Sequence, residues 1–253
     1  MIHVYEGRPG GGKSYRAVEN ICKDLAAGSI VHTNIFLYPE KVRAYVFDRW
    51  GVEVPPDSLV YYEDGSKLAH DMPSLIPRGT RACTNKIYLD EAHIWYNSRD
   101  WKTTHELLKR NLVWLTQHRK FFVDVVFITQ DAANIDAQFR RLAQSYYRFR
   151  DLQKMKAPGF GQVYPLPHTL EILVDYDGKT VMDRTFVPRK KEIFDLYESE
   201  QLLMNHDFLI ENKTSKVVKN KKKTTAILVR KTLEVSLTVV LFGMLIYLGK
   251  QSL

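Results

Sequence analysis

The residues whose types and spacing suit chemistry begin near the amino terminus. Gly7, Arg8, Pro9, Gly10, Gly11, Gly12, Lys13 and Ser14 fit the pattern G-x-x-x-x-G-K-[ST] without a mismatch, after an apolar segment and before a helical one. Glycines at this spacing let successive backbone N–H groups converge on phosphate oxygens. The following helix N-terminus attracts the same oxygens through its unpaired donors and its dipole. In such a loop Lys13 reaches the β and γ phosphates and the Ser14 hydroxyl ligates Mg2+. A glycine-rich turn between a strand and a helix is the plain alternative. It loses ground to a second stretch, Lys86-Ile-Tyr-Leu-Asp-Glu-Ala-His93, in which a short apolar run ends in two adjacent carboxylates. A buried parallel strand here delivers Asp90 and Glu91 to the carboxyl edge of a sheet, where α/β proteins bind ligands. Asp90 is then the candidate to hold the Mg2+ water shell, and Glu91 to orient and polarise an attacking water.

Other candidates follow the next apolar run. Gln130 suits a sensor of the γ-phosphate, and suits equally a strand-end residue bonded to a neighbouring loop. An arginine from a neighbouring subunit completes many sites of this kind. Arg140 or Arg141 is the first choice for it, with Arg110 and Arg119 behind them, although most helical arginines face solvent. His93 and His118 have no partners at metal-ligand spacing and read as structural. Trp95, Tyr96 and Trp101 read as core or subunit interface in preference to base-stacking platforms.

The elements that must position these groups alternate. Ala17, Ile21 and Leu25 recur at helical spacing after the loop, and Gly28 suits a C-cap. Strands are expected over 30–35, 59–62, 122–128 and 146–149, with a capping box at Thr103 and Glu106 opening a helix striped by Leu107, Leu108, Leu112 and Leu115. A further helix is expected over 132–144. Strands alternating with helices imply an α/β fold with a mostly parallel sheet covered on both faces. Beyond Met155 the texture changes to a β-hairpin, 170–176 and 181–187 around Asp177-Gly178, and then a helix over 193–203. The expected organisation is a P-loop ATPase domain over 1–150, a small β-rich extension with a helix over 151–204, a basic linker over 205–231 and a transmembrane helix over 232–249.

Length and charge narrow the class. At 253 residues the chain buries one sizeable core and a smaller appendage. The net charge of +8 resembles a nucleic-acid signal, but eight basic residues and no acid fall between Lys213 and Lys231. Removing those eight from 37 leaves 29 basic residues against 29 acidic, so the head is neutral and the charge acts at one segment. Cys22 and Cys83, without C-x-x-C spacing, read as reduced thiols in a reducing compartment. The first strand starts directly, with no signal peptide before it.

The apolar run 235–248 is uncharged but short for a span, and extended to 232–249, at the cost of Glu234 near one end, it makes a helix of about 27 Å, just enough for a bilayer core with snorkelling flanks. A buried C-terminal core helix is the alternative, disfavoured because the run has no polar face. Eight cations precede it and Lys250 alone follows, which puts the head in the cytoplasm and the lysines against anionic lipid.

Several stretches together resemble the zonular occludens toxin-like family, which includes the assembly and export ATPase of filamentous bacteriophages. They are Gly7 to Ser14, Leu89-Asp-Glu-Ala-His-Ile-Trp-Tyr-Asn-Ser-Arg-Asp-Trp101, His118-Arg-Lys120, Phe127-Ile-Thr-Gln-Asp131, and Ile135-Asp136 with the arginines after it. The resemblance spans most of residues 1–150, and its second stretch is far more specific than the loop. It implies an inner-membrane ATPase with one spanning helix that uses ATP and Mg2+ to extrude a single-stranded DNA phage as its coat assembles. The implied partners are further copies of the chain in a homo-oligomeric ring, phage coat proteins, the single-stranded DNA–protein complex and anionic membrane lipids. Members of the family often carry an extracytoplasmic domain after the membrane helix. Here the sequence ends at Leu253, so either that portion is lacking or a separate envelope-spanning chain supplies it. A DNA-translocating pump and a membrane-anchored, nucleotide-switched assembly scaffold are the alternative readings.

Overall fold

The structure is a computed structural model and describes residues 1–97, 101–154, 167–175 and 180–198. Its frame is one eight-stranded sheet in the order β3-β2-β4-β5-β1-β6-β7-β8. The strands are β1 (Ile2–Glu6), β2 (Ile30–Thr33), β3 (Leu59–Tyr61), β4 (Asn85–Leu89), β5 (Val123–Thr129), β6 (Ser145–Asp151), β7 (His168–Val174) and β8 (Val181–Pro188). The first six pair in parallel, whereas β6/β7 and β7/β8 are antiparallel, so the expected hairpin continues the sheet beyond β6.

Parallel strands need crossover connections, and those put helices on both faces. Alternation along each strand feeds two cores. Ile2 and Val4 of β1, Ile87 and Leu89 of β4, and Val125 and Phe127 of β5 face one core. It is closed by α3 (Gly65–His70), α4 (Met72–Leu75) and α5 (Trp101–Thr116), the last through buried Leu108 and Leu115. Tyr5, Tyr88, Val126 and Ile128 face the other core, under α1 (Lys13–Ala26) and α2 (Pro39–Trp50). Each fully buried apolar side chain, Phe127 for example, contributes about 1.5–3 kcal/mol over exposure. Trp95 and Tyr96 are buried in the first core, where Tyr96 stacks on Phe139 at 4.4 Å between ring centroids.

Three local expectations are corrected. Helix α5 begins at Trp101, so Thr103 lies inside the first turn and is no N-cap. The helix expected over 132–144 is a single turn at Ala132–Asn134 followed by α6 (Ala137–Arg140). Asp131 accepts from Ala133 N and Asp136 from Gln138 N, both at 2.8 Å, and these local bonds start two separate turns in place of one helix. Of the helix expected over 193–203, residues 199–203 lie outside the described residues; its start is the single turn α7 (Lys191–Phe194), after which Tyr197 bridges back to Leu37 in antiparallel fashion. The basic linker, the apolar run and the Asp177-Gly178 turn lie outside the described residues. Among the described residues no helix is long and apolar enough to cross a membrane.

Candidate nucleotide site

Sheet order sets the site. β5 lies between β1, which feeds the glycine loop, and β4, which ends at Asp90. Register brings Glu6 level with Thr129 and Leu89 level with Phe127, so the loop, the acids and Gln130 emerge together at one carboxyl edge. Gly7 N–H donates to the Gln130 carbonyl at 3.2 Å, which ties the start of the loop to the end of β5.

The loop holds a shape that side chains would spoil. Gly12 has φ of 104°, and a Cβ there would meet Thr169 Oγ1 at 2.5 Å. A Cβ on Gly7 would meet the Phe149 carbonyl oxygen at 2.5 Å. α1 then starts at Lys13 with no side-chain cap, leaving its first N–H groups to the space above the loop.

Four predicted residues meet there. Ser14 Oγ donates to Asp90 Oδ2 at 3.3 Å, and Asp90 Oδ1 accepts from Glu91 N at 2.9 Å. Lys13 Nζ donates to the Gly7 carbonyl at 2.7 Å. These residues and Pro9 to Gly12 line one cavity of about 440 Å³. Gly7, Arg8 and Gln130 line a neighbouring cavity of about 700 Å³ with Glu6 and Arg148, which are themselves paired, and the two cavities share Pro9 and Gly11.

Electrostatics match a cation and an anion held side by side. Burial, reinforced by the Glu91 charge, pushes the Asp90 carboxyl up to about 6. Burial lowers the Lys13 ammonium, against the pull of Asp90 and Glu91. Ser14 Oγ and Asp90 Oδ2 are hard oxygen donors on one spot, which is the donor chemistry Mg2+ takes. Glu91 is strained: its φ of 50° puts a non-glycine residue in the left-handed region, at about 1–2 kcal/mol. Its Oε2 is buried and lies 3.2 Å from His93 Nδ1, without the direction of a hydrogen bond. His93 Nδ1 is also 3.2 Å from Thr129 Oγ1, so this histidine stands beside the acids. His118 is bonded to the Leu115 carbonyl at the end of α5.

The arginines lie elsewhere. Arg140 donates to the Ala132 carbonyl at 3.3 Å and Arg141 is exposed, and neither lines either cavity. Arg110 reaches Ser74 Oγ and Asp71, and Arg119 is exposed. Two groups come to the site from distant chain positions. Buried Asn34 clamps the Asp90 backbone, accepting from its N–H at 2.7 Å and donating to its carbonyl at 3.1 Å. Arg189 donates to Asp151 Oδ2 at 3.2 Å and Thr169 Oγ1 at 2.8 Å, and places Nη2 3.4 Å from the Gly10 carbonyl.

Comparison with known proteins gives this arrangement a context. The family described as Zonular occludens toxin (Zot) matches residues 1–202. The Gene 1 protein of Escherichia phage If1 is 29% identical over 217 residues, covering 79% of this chain and 58% of that protein. The Gene 1 proteins of Enterobacteria phage I2-2 and Salmonella phage IKe are 32% and 31% identical over 165 residues, covering 63% of this chain and 43% of each relative. The chain thus spans about half the length of the curated relatives it matches. Among solved structures, the N-terminal domain of zonular occludens toxin from Neisseria meningitidis superposes with a TM-score of 0.51 at 20% identity, over 78% of this chain and 98% of that one. At that identity the likeness speaks to the fold.

Proposed function

Because the chain belongs to the zonular occludens toxin (Zot) family, we propose that it is an ATPase of the host inner membrane that powers assembly and extrusion of a filamentous single-stranded DNA phage. The observation that carries the hydrolytic part is the meeting of Lys13, Ser14, Asp90 and Glu91 around one cavity over the glycine loop. The phage part is supported by similarity to the Gene 1 proteins of three phages.

In this reading the loop N–H groups and α1 receive the phosphates, and Lys13 turns from the Gly7 carbonyl to the β and γ oxygens. Ser14 and Asp90 would hold Mg2+, which would supply neutralisation of the charge developing on the phosphates. Asn34 fixes the backbone of Asp90, so the carboxylate is presented in one orientation. Glu91 takes the proton of the attacking water, and Gln130, at the end of the strand between loop and acids, orients the γ-phosphate. Arg140 or Arg141 serves a neighbouring copy in a homo-oligomeric ring, consistent with neither lining its own site. Residues 205–231 lie on the anionic cytoplasmic leaflet and 232–249 span the membrane, as the lysine asymmetry favours. Coat proteins and the DNA–protein complex are the cargo.

The test compares ATP binding and phosphate release in the full chain and in Glu91→Gln. Binding is expected to persist while turnover falls about 10²–10⁴-fold, the range for loss of a general base. Hydrolysis at the wild-type rate in the variant would refute the assignment.

A further inference from the structure

The segment after β8 crosses the rim of the nucleotide cavity and is pinned at both ends. At its start Tyr15 of α1 donates its hydroxyl to the Pro188 carbonyl at 3.2 Å and accepts from Lys190 N at 2.8 Å. Arg189 holds the Gly10 carbonyl. At its far end Tyr38 N donates to the Leu196 carbonyl at 2.9 Å and Glu198 N to the Phe36 carbonyl at 3.3 Å, around the Leu37–Tyr197 bridge. Arg189, Phe194, Tyr197 and Glu198 line the same cavity as the glycine loop.

Phe194 differs from its neighbours. Its ring packs against Tyr15 at 4.9 Å and lies nearly parallel to Tyr197, 26° between planes and 6.2 Å between centroids. Tyr15 and Tyr197 are 1% and 7% exposed, spent on packing, whereas Phe194 is 40% exposed. Phe194 is thus the partly exposed aromatic of this cluster, held by its neighbours at the cavity that the glycine loop also lines. At about 440 Å³ the cavity falls in the range that holds a drug-sized ligand.

We propose that this strap forms the nucleobase subsite of the cavity, with the exposed part of the Phe194 ring stacking on the base of a nucleoside triphosphate. The inference rests on the nucleotide reading above and adds the part of the ligand that the loop does not touch. Stacking needs a π-face and tolerates any base, so the subsite raises affinity for nucleotides over bare polyphosphate without strong choice among bases.

Calorimetric titration of the full chain with ATP and with inorganic triphosphate separates the two readings. Phe194→Leu keeps an apolar group against Tyr15 and removes the aromatic face. Phe194→Tyr restores the face. The Leu variant is expected to bind ATP about tenfold more weakly, to bind triphosphate as wild type does, and to regain ATP affinity as Tyr. Unchanged ATP affinity in the Leu variant would overturn the subsite, as would an equal loss for both ligands. Wild type that binds triphosphate as tightly as ATP would overturn it and leave the phosphate cradle standing. Wild type that binds neither would remove the nucleotide reading and the subsite together.

Discussion

Asp90→Asn should make the ligand-free protein more stable. The Asp90 carboxyl is held near 6, about two units above its ordinary value of 3.8, by burial and by the Glu91 charge. Each unit is about 1.4 kcal/mol, so keeping this carboxylate ionised at neutral pH costs the folded state about 3 kcal/mol. Asparagine resembles the neutral acid in shape. Its amide oxygen can still accept from Glu91 N, and the Ser14 hydroxyl can turn to accept from the amide. A raised folded-state value means that the native state binds the proton more tightly than the unfolded chain. Wild-type stability therefore rises as pH falls from about 6 to about 4, and the advantage of the variant shrinks over that window. In chelator at pH 7.5 the variant is expected to gain about 2–3 kcal/mol, or about 5–10 °C in melting temperature, and at pH 4 to melt with wild type. Adding Mg2+ and ATP should reverse the ranking, because wild type alone offers the carboxylate. Equal or lower stability of the variant at pH 7.5, or the same gain at both pH values, would refute this account of Asp90.

Two other perturbations probe the loop and its support. Gly12→Ala forces a Cβ to within 2.5 Å of Thr169 Oγ1 at a φ of 104°, and is expected to cost about 1–3 kcal/mol in denaturant melts and most nucleotide affinity; adding Thr169→Ala should recover part of both. Arg189→Met strands Asp151, whose side chain is 8% exposed against 12% for Arg189, and should cost about 3–5 kcal/mol; the added Asp151→Asn change should restore much of it in a double-mutant cycle.

Much of this was legible because it is local. The glycine loop is contiguous, and the apolar runs before the loop, before Asp90 and before Thr129 marked β1, β4 and β5 as buried strands; which of their residues face which core came only with the structure. What escaped the sequence was competition and distance. Asp131 stands just before the expected helix and Asp136 inside it looks like an ordinary helix-surface acid, yet their side chains cap separate turns and divide that helix. Thr103 and Glu106 satisfy a capping pattern that the earlier start of α5 makes irrelevant. Asn34 reaches Asp90 across 56 positions and Arg189 reaches Gly10 across 179, separations that no motif spacing encodes. The aromatic residues near Asp90 were visible as a cluster, and buried Tyr96 was readable as core, but the place of Phe194 at the cavity depends on a strap whose path only the fold defines.

The most direct test of the central claim is particle release from host cells that carry the phage replicon. Wild type and Glu91→Gln would be compared at the same level in the same membrane fraction. The account predicts that release stops in the variant while coat protein and DNA accumulate inside. Continued release at the wild-type level would show that hydrolysis is dispensable and would contradict it.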